Sequence, residues 1–288
     1  MRVIFDCDNT MGLEACDFDD GLSLLYLLGS KKIDLLGITC SFGNSTQDAV
    51  YDNTCRLVNA WGLDKLKVAK GAISPDCRIS EASHFLVEQA ERYAGELHLL
   101  ATGSLSNLLG ACQLDPLFFE KIASISLMGG ITQDLLVGDK PMDELNFSVD
   151  PEAALTVLQK GKNVRIATAQ SCLDSYFPED EFWEYMDKSE SPVAKVLPKL
   201  MKPWLDYGEK VWGLKGYINW DILAASQLVK PELFYHNRLL ISPSLESLHK
   251  GYLLAKGPKL EVSVPQIINQ DEYRQHIYET ILSAKLNL

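Results

Sequence analysis

The chain has 288 residues, of which 47% are hydrophobic and 23% charged, the balance of a globular protein with one large α/β domain or two small ones. A formal net charge of −12, with no basic stripe to neutralise phosphates, argues against nucleic acid as a partner, and no uncharged stretch is long enough to cross a bilayer. The seven cysteines are odd in number and form no Cys-x-x-Cys pair, which argues against a disulfide framework or structural zinc and for reduced thiols in the cytoplasm.

Arg2–Phe5 reads as a short buried strand running into Asp6-Cys7-Asp8, and so early a strand predicts no signal peptide. A helix follows from Gly21, closed by Gly29, and Leu35–Thr39 is a second strand. Apolar residues recur at helical spacing from Thr46 to Trp61, and Leu66–Ala69 is a third, shorter strand. Leu97–Ala101, Ile125–Met128 and Val164–Ala167 read as further buried strands, with a helix over Pro151–Leu158. Cys7 and Cys40 fall in apolar segments and read as small core residues. Short apolar strands alternating with helices predict a mostly parallel, Rossmann-like central sheet with helices on both faces. The stretch Ser175–Trp220, rich in aromatics, Lys and Pro, is expected to be a helical and loop elaboration over the site within one domain spanning residues 1–288.

Ligands of such sheets bind outside the carboxyl ends of the strands. The polar clusters Asp6-Cys7-Asp8, Ser41-Phe42-Gly43-Asn44, Thr102-Gly103-Ser104 and Gly129-Gly130 all follow strands, so they should converge on one rim. Carboxylates crowd the segment Asp6 to Asp20, which is costly unless a cation neutralises them, and all-oxygen donors select Ca²⁺ or Mg²⁺ over zinc or copper. The plain alternative is a solvated acidic loop.

Two families resemble this segment. Val3 to Thr10 is similar to the first motif of haloacid-dehalogenase-type phosphatases, which would make Asp6 the nucleophile and Asp8 the acid/base beside Mg²⁺. Read with Asp19-Asp20-Gly21, the same stretch resembles the nucleoside hydrolase signature, a strand ending in Asp-x-Asp and a helix starting with Asp-Asp. Further motifs resemble that second family in the same order: Thr39 to Asn44, Thr102 to Asn107, Leu127 to Gly130, Glu144 to Ala154, and Trp220-Asp221. The phosphatase alternative gives no reason for these later motifs.

The nucleoside hydrolase resemblance implies hydrolysis of the N-glycosidic bond of ribonucleosides in nucleoside catabolism or salvage, by a homodimer or homotetramer. It implies Ca²⁺ held by Asp8, Asp20, Asp221 and the main-chain carbonyl of Thr102. Asp19, Asn44, Met128, Glu144, Asn146 and Asp221 would form the sugar pocket, with Asp8 as general base and Asp6 orienting Asp8 or the metal's waters. Trp220 would stack on the base and favour purines. A third class, a nucleoside-binding protein without catalysis, is disfavoured because binding alone needs no activated water.

Two departures from the family pattern stand out. The run Asn9 to Phe18 separates the paired Asp motifs and is expected to loop out near the pocket mouth, with Asp17 at the surface or replacing Asp19. The His that often precedes the final Asp is replaced by Trp220. Among the other histidines, His84 falls where it can approach the base, His98 reads as buried structure, and the remaining three as packing or surface. Asn107, Asp150 and Glu152 read as capping and turn residues, and Trp204, Tyr207, Trp212 and Tyr217 as base-pocket lining or packing.

Overall fold

The computed structural model describes residues 1–288. Its strands are β1 (Arg2–Cys7), β2 (Asp34–Cys40), β3 (Val68–Ala69), β4 (Leu97–Ala101), β5 (Ile122–Met128), β6 (Leu135–Val137), β7 (Lys140–Met142), β8 (Val164–Ala167), β9 (Tyr176–Pro178), β10 (Gly216–Ile218), β11 (Phe234–Ile241) and β12 (Leu260–Ile267). The helices are α1 (Asp19–Gly29), α2 (Gln47–Ala60), α3 (Glu81–Arg92), α4 (Ser106–Leu114), α5 (Phe118–Lys121), α6 (Pro151–Lys160), α7 (Ala169–Cys172), α8 (Glu179–Asp187), α9 (Pro192–Trp212), α10 (Trp220–Val229), α11 (Leu245–Leu248) and α12 (Gln270–Leu282).

Eight strands form one sheet in the order β11-β12-β8-β5-β4-β1-β2-β3. Every pairing in it is parallel except β11 against β12, which is antiparallel. The expected parallel sheet is therefore present, extended by an antiparallel edge that sequence reading did not find. Strand alternation explains the layering. Val3 and Phe5 point into a cluster of 47 buried residues, and Ile4 between them points into a second cluster of 26, so β1 is covered on both faces.

Helix starts follow ordinary capping chemistry. Thr46 caps α2 by accepting from Ala49 N–H, and Asp150 caps α6 by accepting from Ala153 N–H, with Pro151 at the first helical position. The elaboration after Ser175 is a two-stranded β9–β10 ribbon with α8 and the 21-residue α9, which carries Pro198 and Pro203 inside it. No helix is long and apolar enough to cross a membrane. All seven cysteines are free, and Cys7 and Cys40 are buried as expected, in register on adjacent strands.

The insertion Asn9–Phe18 loops out at the cavity in its middle, as expected, but its ends are buried. Asn9, Thr10, Met11 and Phe18 are buried, and Met11 packs so closely on α1 that a Cβ at Gly21 would collide with its sulfur. Only the middle of the run reaches the surface, because Met11 and Phe18 contribute apolar surface to the larger core cluster and pin both ends.

Candidate active site and metal centre

The loops at the carboxyl ends of β1, β2, β4 and β5 meet, as the switch-point rule requires, and two helix N-termini join them. Asp19 and Asp20 occupy the first turn of α1 and Asp221 the first turn of α10, where the positive ends of the helices favour carboxylates. Their carboxylate oxygens lie within 4.8 Å of one another, and all three residues are buried.

Around this cluster the neighbours are specific. The Thr102 hydroxyl donates to Asp20 Oδ1 at 2.6 Å, leaving Asp20 Oδ2 buried without a hydrogen-bond partner. Asp8 accepts the Asn44 backbone N–H at 2.6 Å through Oδ2 and the Asn44 side-chain amide at 3.3 Å through Oδ1. Gly43 and Gly103 let the chain close around Asp8: a Cβ at Gly43 would sit 2.0 Å from Asp8 Oδ2, and one at Gly103 3.1 Å from its Cγ. Asn146 donates to the carbonyls of Thr102 at 2.8 Å and Met128 at 3.1 Å.

Burial without cations governs the electrostatics. Asp19, Asp20 and Asp221 are driven well above the ordinary carboxylate range by desolvation first and then by one another and their acidic neighbours. Asp8 is raised by burial to about 6, with the Asn44 N–H opposing the shift. Asp6 is raised by burial to about 7, opposed by hydrogen bonds from Thr39 at 2.5 Å and Asn107 at 2.9 Å.

An orphaned carboxylate oxygen, three converging carboxylates and an all-oxygen donor set fit a hard divalent cation. The trio differs in one member from the expected ligands. Asp19 joins Asp20 and Asp221, while Asp8 stands behind them against Asp20, held by the Asn44 contacts.

A cavity of about 230 Å³ opens over the cluster. Asp19, Asn44, Thr102, Met128, Glu144, Asn146, Trp220 and Asp221, eight of the ten expected site residues, line it. Asp8 and Asp20 do not line it. Glu144 is on the wall, yet its carboxylate already accepts the N–H groups of Gly130, Phe147 and Ser148 at 3.0, 2.8 and 3.0 Å, so it also anchors the Glu144–Ser148 turn.

The apolar part of the lining comes from Leu135 and Met142 of the β6–β7 hairpin, Ala169, Trp204 and Trp220. Of the four aromatics weighed in the elaboration, Trp204 reaches this cavity, whereas Tyr217 stacks on Phe177 in the core. The insertion contributes Ala15, Cys16 and Asp17 to the wall, so Asp17 lines the cavity rather than the outer surface, beside Asp19 and not in place of it. Asp143 also lines it, unanticipated, although it immediately precedes Glu144. No histidine does: His84 is exposed on α3, and half-buried His98 bonds Ser124 at 2.8 Å.

Two neighbours of the site are structural. Asp150, besides capping α6, is held by both Arg78 Nε and Nη2 at 2.8 Å and by Ser106 at 2.6 Å, and Glu152 pairs with the same Arg78. Asn107 corrects its capping assignment. Buried in α4, it bonds Asp6, the Cys40 carbonyl and the Ala72 N–H, tying three loops together. The phosphatase alternative gains no support from the geometry: Thr39 and Asn107 both donate to Asp6 Oδ2, and Asp6 does not line the cavity.

The family model of the inosine-uridine preferring nucleoside hydrolases matches residues 3–275. The pyrimidine-specific ribonucleoside hydrolase RihA of Citrobacter koseri is 29% identical over 262 residues, covering 81% of each chain. Uridine nucleosidase 1 of Arabidopsis thaliana is 26% identical over 266 residues, 82% of this chain and 78% of its own. In fold, the purine-preferring ribonucleoside hydrolase from Gardnerella vaginalis superposes with a TM-score of 0.84 at 21% identity over 99% of both chains.

Proposed function

The chain belongs to the inosine-uridine preferring nucleoside hydrolase family and hydrolyses N-glycosidic bonds, and we propose that it does so on ribonucleosides, purines before pyrimidines, with Ca²⁺ as its metal. The observation that carries this reading is the Asp19-Asp20-Asp221 convergence at a cavity that Trp204 and Trp220 also line. Relatives with pyrimidine names and a fold neighbour with a purine name leave the base to be read from the cavity.

Asp8, Asp20, Asp221 and the Thr102 carbonyl are the proposed metal ligands, with Asp19 close enough to add an oxygen. A hard cation held there supplies an acidified, positioned water. With such an ion bound, Asp8 would serve as general base, a role worth about 10²–10⁴-fold. Asp19, Asn44, Asn146 and Glu144 bind the ribose hydroxyls, and their oxygens favour the positive charge that develops on the sugar as the bond to the base stretches. The Asn146 side chain, fixed on the Thr102 and Met128 carbonyls, needs no reorganisation to serve there. Asp6, shut away behind Thr39 and Asn107, positions the β1 loop.

We read the chain as one domain, working as a homodimer or homotetramer. Seven free thiols suit a cytoplasmic setting. The deciding experiment is a reducing-sugar assay with inosine and uridine. Release of free ribose supports the reading, and nucleoside binding without ribose release would replace it with a binding protein.

A further inference from the structure

The cavity carries five carboxylates, Asp17, Asp19, Asp143, Glu144 and Asp221, and no Lys, Arg or His. A divalent ion claimed by Asp8, Asp20 and Asp221 would still leave Asp17, Asp143 and Glu144 on the cavity wall. Asp17 and Glu144 are fixed by backbone N–H groups, Asp17 by that of Phe18 at 2.6 Å, and Asp143 stands exposed at the rim. In the apolar part of the lining, one face of Trp204 is stacked on Tyr207 with ring centroids 4.9 Å apart and planes at 19°. Its indole and that of Trp220 border the cavity, and indole faces attract cations.

We propose that this site favours ribosides whose base carries a fixed positive charge, a ribosylpyridinium or an N7-alkylated purine, over neutral nucleosides. The inference rests on the ribonucleoside hydrolase reading above and ranks substrates within it. The chemistry agrees with the electrostatics. The water oxygen bonds to C1′, the C1′–N bond breaks, and its electron pair goes to the ring nitrogen and cancels the ring's charge. The water's surplus proton goes to Asp8 and then to solvent. No proton has to reach the base, so a cavity without a histidine is at no disadvantage, whereas a neutral base must be protonated or leave as an anion.

Cationic ribosides are also intrinsically more labile, so the test separates binding from reactivity. With calcium-loaded protein cleaving 4-nitrophenyl riboside, 1-methylnicotinamide (cationic) and nicotinamide (neutral) are compared as inhibitors. The expected Ki of the cation is at least about tenfold lower, with the gap shrinking to about threefold or less in Asp17→Asn and in Asp143→Asn, the second an exposed position that folding tolerates. Nicotinamide riboside should exceed inosine and uridine in kcat/KM by at least about tenfold. Equal Ki values, or a gap unmoved in both Asn variants, would overturn the inference while 4-nitrophenyl riboside cleavage leaves the hydrolase reading standing. Failure to cleave any riboside, the nitrophenyl one included, would overturn that reading itself.

Discussion

The Thr102 hydroxyl holds Asp20 Oδ1 at 2.6 Å and leaves Oδ2 with no partner inside the protein. Burying an ionised oxygen unpaired is costly, so an external cation is the natural partner for it and for the Asp19 and Asp221 oxygens alongside. Purified protein should therefore contain about one tightly bound Ca²⁺, and Asp20→Ala or Asp221→Ala should lose it. Because the ion binds only the folded chain, a chelator should lower Tm. Elemental analysis without calcium, together with an unmoved Tm, would remove the metal from the scheme.

The same cluster sets a pH signature for chelated protein. Burial raises Asp6 to about 7 and Asp8 to about 6, and drives Asp19, Asp20 and Asp221 well above the ordinary carboxylate range. An unfolded Asp titrates at about 4, so the native state binds these protons more tightly. Their stabilising contribution is full below that value and is lost as pH climbs through the folded values. Chelated protein should thus lose Tm steadily from about pH 4 to about pH 7, and the gain from added calcium should widen over the same window. Thermal scans at fixed ionic strength check this; a chelated Tm that climbs across the window contradicts it.

Asp8→Asn keeps the shape that Gly43 and Gly103 enclose but removes the proton acceptor. The expected fall in kcat is at least about 10²-fold with an unchanged circular dichroism spectrum. Turnover near the wild-type value would make Asp8 structural only.

How far this arrangement can be read without coordinates depends on the range of the interactions. The strands after which the site loops come, and the Asp19-Asp20 start of α1, follow from local apolar runs and a helix start, and were legible. The phase of β1, with Val3 and Phe5 on one face and Ile4 on the other, is equally local. Met11 was not legible, because its burial depends on the lack of a side chain at Gly21. Nor was the role of Asn107, whose three partners lie 35, 67 and 101 residues away. The β11–β12 edge escaped too, since β11 is largely exposed and β12 alternates Leu260, Val262 and Val264 with polar residues in place of the continuous apolar run of the buried strands.

The Arg78–Asp150 pair gives a stability prediction away from the chemistry. The Asp150 side chain is 1% exposed and that of Arg78 10%, so neither charge has much water to fall back on. Asp150→Ala would strand Arg78 with only the exposed Glu152, free Ser106 and remove the α6 cap. The expected cost is about 3–5 kcal/mol, the range for breaking one side of a buried pair. Urea unfolding measures it, and a loss under about 1 kcal/mol would mean that solvent already reaches the pair.

The last prediction concerns neutral bases and rests on Trp220. It begins α10 next to Asp221, so the residue that borders the cavity is one peptide unit from the carboxylate cluster, and Trp204 borders the same cavity from α9. A base between or against these rings gains stacking in proportion to its area, which is larger for a two-ring purine. Purines also offer the basic N7 of the imidazole ring, whereas both ring nitrogens of uridine are amide-like and carry no basic lone pair, and no histidine lines the cavity to act for it. Inosine, adenosine or guanosine should therefore show higher kcat/KM than uridine and cytidine. Trp220→Ala should lower purine turnover more than cleavage of 4-nitrophenyl riboside, whose leaving group needs no proton. If Trp220 is merely packing, the two substrates will lose activity equally. A uridine preference in the wild type would likewise refute the stacking role.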